Sequence, residues 1–100
     1  MRRGTTPTLR CKIRGIRVSE LDQVWITIRQ KSYEVTKTLE DIIVNDFNNA
    51  FDVYLTQEET LGFHTGEVRV QLRALKDDVA IASNIVDSEM KKILKEGVIS

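Results

Sequence analysis

Phe51-Asp52-Val53-Tyr54-Leu55-Thr56-Gln57-Glu58-Glu59-Thr60-Leu61 and, after five residues, Glu67-Val68-Arg69-Val70-Gln71-Leu72-Arg73-Ala74-Leu75-Lys76 carry the reading of the fold. In the first stretch Phe51, Val53 and Leu55 alternate with Asp52 and Tyr54, the period of two that marks a half-buried strand. Thr56-x-x-Glu59 is a capping box: the Thr56 hydroxyl accepts from the N–H three residues on, and Glu59 reaches back to the Thr56 N–H. The helix it opens is one or two turns long, because Gly62 and Gly66 follow closely. Leu61 and Phe63 are expected to pin this turn to the core. In the second stretch Val68, Val70, Leu72 and Ala74 share one face and Arg69, Gln71 and Arg73 the other. A strand, a capped turn and a long strand form the crossover that carries a chain from one sheet to another.

The rest of the chain extends the pattern. Leu9, Cys11 and Ile13 alternate with Arg10, Lys12 and Arg14. Val24, Ile26 and Ile28 alternate with Trp25, Thr27 and Arg29 in a run rich in β-branched and aromatic residues. Lys31-Ser32 reads as a tight connection into Tyr33–Thr38, so these two runs form a hairpin. Ser19 to Asp22 reads as a polar turn. Glu40–Val44 is a short strand or a single turn, and Asn45–Asn49 has turn chemistry, since Asn and Asp tolerate left-handed backbone. Asp77-Asp78 is a turn without glycine, which predicts a loop longer than two residues. Val79, Ile81, Ser83 and Ile85 share a face of the last clear strand. Residues 87–100 are a tail or short helix: Met90, Ile93 and Leu94 have helical spacing, and a strand through Met90 is the other reading.

Six to seven short strands spaced about ten residues apart predict a single all-β domain over residues 1–100. The expected architecture is an immunoglobulin-like β-sandwich of antiparallel strands, with one short helical turn near residues 57–61. Its expected core joins Leu9, Ile13, Val24, Ile26, Ile28, Phe51, Val53, Leu55, Leu61, Val68, Val70, Leu72, Ile81 and Ile85.

At 100 residues, 41% hydrophobic and 30% charged, the chain has a globular composition. Fifteen bases balance fifteen acids, against the basic excess of a nucleic-acid binder. No apolar run is long enough to span a membrane, and the basic start lacks the apolar stretch of a signal peptide. One cysteine forms no internal disulfide and excludes a zinc finger.

Catalytic signatures are weak. His64, the one histidine, lies in Gly62-Phe63-His64-Thr65-Gly66 without partners at useful spacing. Cys11 is on the apolar face of a strand and reads as a small hydrophobe. Gly62-x-x-x-Gly66 lacks the Lys-Ser/Thr of a phosphate loop. Asn45–Asn49 has oxygens but not the spacing of a calcium loop. No catalytic residue, metal ligand or cofactor is assigned, and the expectation is a protein that is not an enzyme. The charges are nonetheless uneven. Arg2, Arg3, Arg10, Lys12, Arg14 and Arg17 crowd the first 17 residues, and Glu40, Asp41, Asp46, Asp52, Glu58, Glu59 and Glu67 crowd residues 38–68. Such complementary segments favour association, either weak self-association or binding to a partner through an edge strand.

Arg3-Gly4-Thr5-Thr6-Pro7-Thr8, Leu55–Leu61, Val68-x-Val70-Gln71-x-Arg73, Ala82-Ser83-Asn84-Ile85 and Ile93–Ile99 together resemble small prophage-encoded proteins of Gram-positive bacteria. The pattern is also similar to the N-terminal domain of the baseplate upper protein of tailed phages. The resemblance implies an immunoglobulin-like module of the tail or baseplate that binds other phage structural proteins, found in the virion or, during assembly, in the host cytoplasm. The alternative is a small carbohydrate- or cell-surface-binding sandwich, which Trp25 and Tyr54 side by side on one open face would favour. Arg10, Lys12, Arg14, Trp25 and Tyr54 are the candidate partner-binding residues; nucleic acid and membrane are not expected partners.

Overall fold

The computed structural model describes residues 1–12, 15–82, 86–90 and 98–99, with 86–90 described as backbone. The described residues form eight strands: β1 (Thr8–Lys12), β2 (Gln23–Gln30), β3 (Tyr33–Thr38), β4 (Ile43–Asn45), β5 (Ala50–Tyr54), β6 (Gly66–Lys76), β7 (Val79–Ala82) and β8 (Val86–Met90). One α-helix, α1 (Gln57–Leu61), and two 3-10 turns, Val18–Glu20 and Leu39–Asp41, complete the described elements. The smaller sheet has the order β1-β5-β4. The larger has the order β3-β2-β6-β7, with β8 pairing the other half of β6, so β7 and β8 occupy one edge position. Every pairing is antiparallel.

This is an all-β sandwich, and its strand order is that of an immunoglobulin-like fold. β1, β5 and β4 take the B, E and D places, facing β3, β2, β6 and the β7/β8 edge in the C′, C, F and G places. Cys11 sits on the B-place strand, where antibody domains put half of their disulfide. On the F-place strand the inward residues, Val68, Val70, Leu72 and Ala74, include no cysteine, and the Cys11 thiol packs against apolar side chains instead.

Both sheets contribute to the core. Val24, Ile26, Leu72 and Ala74 meet Phe51 and Val53, while Ile28, Val35 and Val68 meet Leu55 and Phe63. Leu9 and Val70 pack against both groups and join them. Ile81 packs at the margin; Ile13, Ser83 and Ile85 lie outside the described residues. Leu61 departs from expectation: it is half-buried and joins neither group. In a helix of five residues the inward position falls to Thr60, fully buried, whose hydroxyl donates to the Thr5 carbonyl at 2.9 Å. Phe63, just past the helix, supplies the apolar anchor and meets Tyr33 edge-on with ring centroids 4.7 Å apart.

The connections hold the surprises. Lys31 takes a left-handed φ of 54° and closes the β2–β3 hairpin in two residues, as expected. Asp77-Asp78 does the same, contrary to the longer loop expected: Lys76 pairs with Val79, and both aspartates are left-handed at φ 49° and 65°. Asp tolerates that region, and the Asp77 N–H is held by Asp22 Oδ2 at 2.9 Å. Residues 39–45 contain both alternatives, a 3-10 turn followed by a short strand. Within the tail, 86–90 takes the strand reading, and the helix expected further on falls outside the described residues. Side-chain amides brace three loops. Gln30 accepts from the His64 N–H at 2.7 Å and donates to the His64 carbonyl at 2.8 Å. Gln57 binds the backbone of Ile99 likewise. Asn49 accepts from the Val18 N–H and donates to the Ile16 carbonyl.

The capping box forms as read. Glu59 N–H donates to Thr56 Oγ1 at 3.1 Å and Thr56 N–H to Glu59 Oε1 at 2.9 Å. Sequence alone gives Glu59 only the lesser, reciprocal half of the box. The fold adds an ion pair, Lys37 Nζ to Glu59 Oε2 at 2.8 Å, between two largely covered side chains. Thr56→Ala should therefore cost about 1 kcal/mol, and Glu59→Ala at least as much rather than less, as read from denaturant melts. A second substitution tests the packing beneath the helix. A methyl group on Gly62 would overlap the Tyr33 ring. Gly62→Ala should lose about 1–3 kcal/mol despite an ordinary helical φ of −65° at that residue.

Candidate functional site

The two sheets turn different faces to solvent. On the smaller sheet the outward residues include Arg10 and Lys12 of β1 and Tyr54 of β5, with Asp52 between them. Asp52 is the only buried carboxylate among the described residues. Arg10 Nε donates to Asp52 Oδ1 at 2.9 Å, Arg10 Nη2 to Oδ2 at 3.4 Å, and Asn45 Nδ2 to Oδ2 at 3.2 Å. These bonds, from Arg10 first and Asn45 second, hold the Asp52 carboxyl below its ordinary pKa. Burial, and next the Asp52 charge, push the Cys11 thiol up, which keeps it protonated.

Much of the charge asymmetry in the sequence closes on itself here. Arg10 pairs with Asp52, and Arg17 reaches Asp46 at 3.6 Å. Arg3 donates to the carbonyls of Leu61 and Phe63, at the C-terminal end of α1, where the helix dipole favours a cation. Lys12 remains exposed on the β1 edge, and Arg14 is outside the described residues.

The larger sheet presents a different surface. Antiparallel pairing sets Trp25 opposite Arg73, Thr27 opposite Gln71 and Arg29 opposite Arg69. On the other side of β2, Thr38, Thr36 and Glu34 flank Trp25, Thr27 and Arg29. Three shallow depressions run together along this face. One, of about 360 Å³, lies among Trp25, Thr27, Arg73, Leu75 and Ala80. The next, of about 290 Å³, shares Thr27 and Arg73 and adds Arg29, Arg69 and Gln71. The third, of about 390 Å³, shares Arg29 and Arg69 and ends at Lys31 and Gly66. Two arginines directly opposite one another on paired strands work against stability. Glu34 offsets this from the side of Arg29, at 3.4 Å.

Trp25 and Tyr54 are thus on opposite outer faces, and the candidate residues do not form one site. Arg10, Lys12 and Tyr54 share the smaller sheet; Trp25 stands on the larger with Arg29, Arg69 and Arg73, which sequence reading placed outward but did not bring together. The signal was present in two strands with the same alternation; what the sequence lacked was the knowledge that they pair. His64 is exposed, with its backbone held by Gln30. Among the described residues, no helix is long and apolar enough to cross a membrane.

Compared with family models, curated proteins and solved structures, the chain matches none.

The Arg10–Asp52 bond carries a pH consequence. A carboxyl depressed in the folded state contributes stability that is present above its unfolded pKa and lost as pH falls through its folded one. Arg10→Ala should move the Asp52 carboxyl pKa upward and shift acid unfolding to higher pH. Carboxyl carbon NMR through the acid range checks both; an unmoved Asp52 titration would remove Arg10 as the cause.

Proposed function

We propose that the chain is a non-enzymatic structural module that docks other proteins of a phage particle through the outer face of its larger sheet. The observation carrying this reading is the composition of that face. A half-buried tryptophan stands among three exposed arginines, with Thr27 and Gln71 between them. Trp and Arg are the residues that dominate protein–protein binding energy, through large contact area and forked hydrogen bonding. The phage setting comes from the sequence resemblance, which implies a tail or baseplate component, made in the host cytoplasm and carried in the virion. A sugar-binding reading was to be favoured by two aromatics on one face, and Trp25 and Tyr54 are separated by the sandwich. Weak self-association along the β1 edge belongs to the same proposal. Its charge steering would fall to Lys12, since Arg10 and Arg17 are engaged within the chain.

Particles induced from the bacterium that carries the coding sequence provide the test. Mass spectrometry should find the chain in a fixed ratio to the major structural proteins. Chains carrying Trp25→Ala, or Thr27→Arg in the middle of the face, should be lost from the particles while still folded, as a cooperative thermal melt verifies. Particles that lack the wild-type chain, or that retain both variants at full ratio, would contradict the proposal.

A further inference from the structure

We infer that the depression between Trp25 and Arg73 is the anchor of this docking face, and that it receives a carboxylate side chain from an amphipathic acidic segment of the partner protein. The inference rests on the docking reading above and specifies the partner's chemistry.

The three arginines have unequal surroundings. Arg29 has Glu34 beside it. Arg69 already has an interaction within the chain, and Asp87 is its register partner on β8. Arg73 differs. Its register neighbours are Trp25 on one side and Ala82 on the other, and no hydrogen bond or ion pair holds its guanidinium among the described residues. It is exposed, next to a half-buried indole.

The walls of the depression are mixed. Trp25, Leu75 and Ala80 give apolar surface, Thr27 a hydroxyl and Arg73 a cationic fork. On the β7 side the lining residue is the small Ala80. Such a site fits a carboxylate carried on a short apolar stem: the fork binds both oxygens, and the stem lies against the indole. A continuous polyanion fits less well. Running on along the face it would meet Glu34, and Glu67 lines the far depression. One acid flanked by apolar residues suits the charge pattern; a chain of phosphates does not.

Trp25 is the only tryptophan in the protein, so its emission reports on this depression alone. The probe is an acetylated, amidated peptide with a single glutamate flanked by leucines. Its glutamine counterpart and inorganic polyphosphate serve as comparisons. The glutamate peptide should change Trp25 emission saturably, and the glutamine peptide should not. Arg73→Gln should weaken binding about tenfold, the scale of one lost charge-assisted hydrogen bond. Arg10→Gln, on the opposite face, should leave it unchanged. Arg73→Gln replaces an exposed side chain, and an unaltered melting temperature verifies its fold. The inference is overturned if the glutamate peptide gives no saturable change or the glutamine peptide binds equally. It is also overturned if Arg73→Gln binds like wild type, or if polyphosphate binds more tightly than the glutamate peptide. If Trp25→Ala still abolishes particle incorporation in those cases, the docking face stands and only the acid anchor falls. Retention of the Trp25→Ala chain in particles would instead remove the docking reading itself.

Discussion

The pairing of β2 with β6 is the constraint on which the rest of the structure depends. Seven consecutive residues of β2, Gln23 to Arg29, face Leu75 to Arg69 in strict antiparallel register. This alignment puts Val24, Ile26 and Ile28 beside Ala74, Leu72 and Val70, the apolar layer on which the smaller sheet closes. The same alignment sets Trp25, Thr27 and Arg29 beside Arg73, Gln71 and Arg69 on the outside. Side chains alternate with a period of two, so a slip of one residue would turn every buried position outward. The core and the outer face of Trp25 and its arginines are two consequences of one register.

The ends of that pairing are fastened by groups that act like extra ladder rungs. At one end Gln30 holds the His64 backbone through both its amide oxygen and nitrogen. At the other, Asp22 donates its N–H to the Leu75 carbonyl and accepts from the Asp77 N–H, tying the strand start to the β6–β7 turn. These contacts give partners to backbone groups at the points where strand pairing stops. The smaller sheet is secured differently. Its central strand carries Asp52, whose bonds to Arg10 of β1 and Asn45 of β4 span all three strands. Charges that look in sequence like material for association are, at these positions, part of the fold.

The strands were legible because alternation at Phe51–Leu55, Glu67–Lys76 and Gln23–Gln30 follows directly from a sheet buried on one face. The Thr56–Glu59 cap was legible because its spacing reflects a local hydrogen-bond geometry. Val18, Leu21 and Ile42 were not: they are buried in the core yet lie in connections, where no period marks them. The two-residue turn at Asp77-Asp78 was missed because its left-handed aspartates look like any polar pair until Lys76 is seen opposite Val79. The candidate site was half legible. Each outward arginine could be assigned to a face, but their juxtaposition depends on a contact between strands about 40 residues apart in sequence, which local pattern does not encode.

NMR distances across β2 and β6 test the register most directly, because they read the pairing itself without reference to any partner. The register requires cross-strand contacts joining Trp25 with Arg73 and Thr27 with Gln71. Contacts joining Trp25 with Leu72 or Ala74 instead would show a slipped register, and with it neither this core nor this outer face would exist.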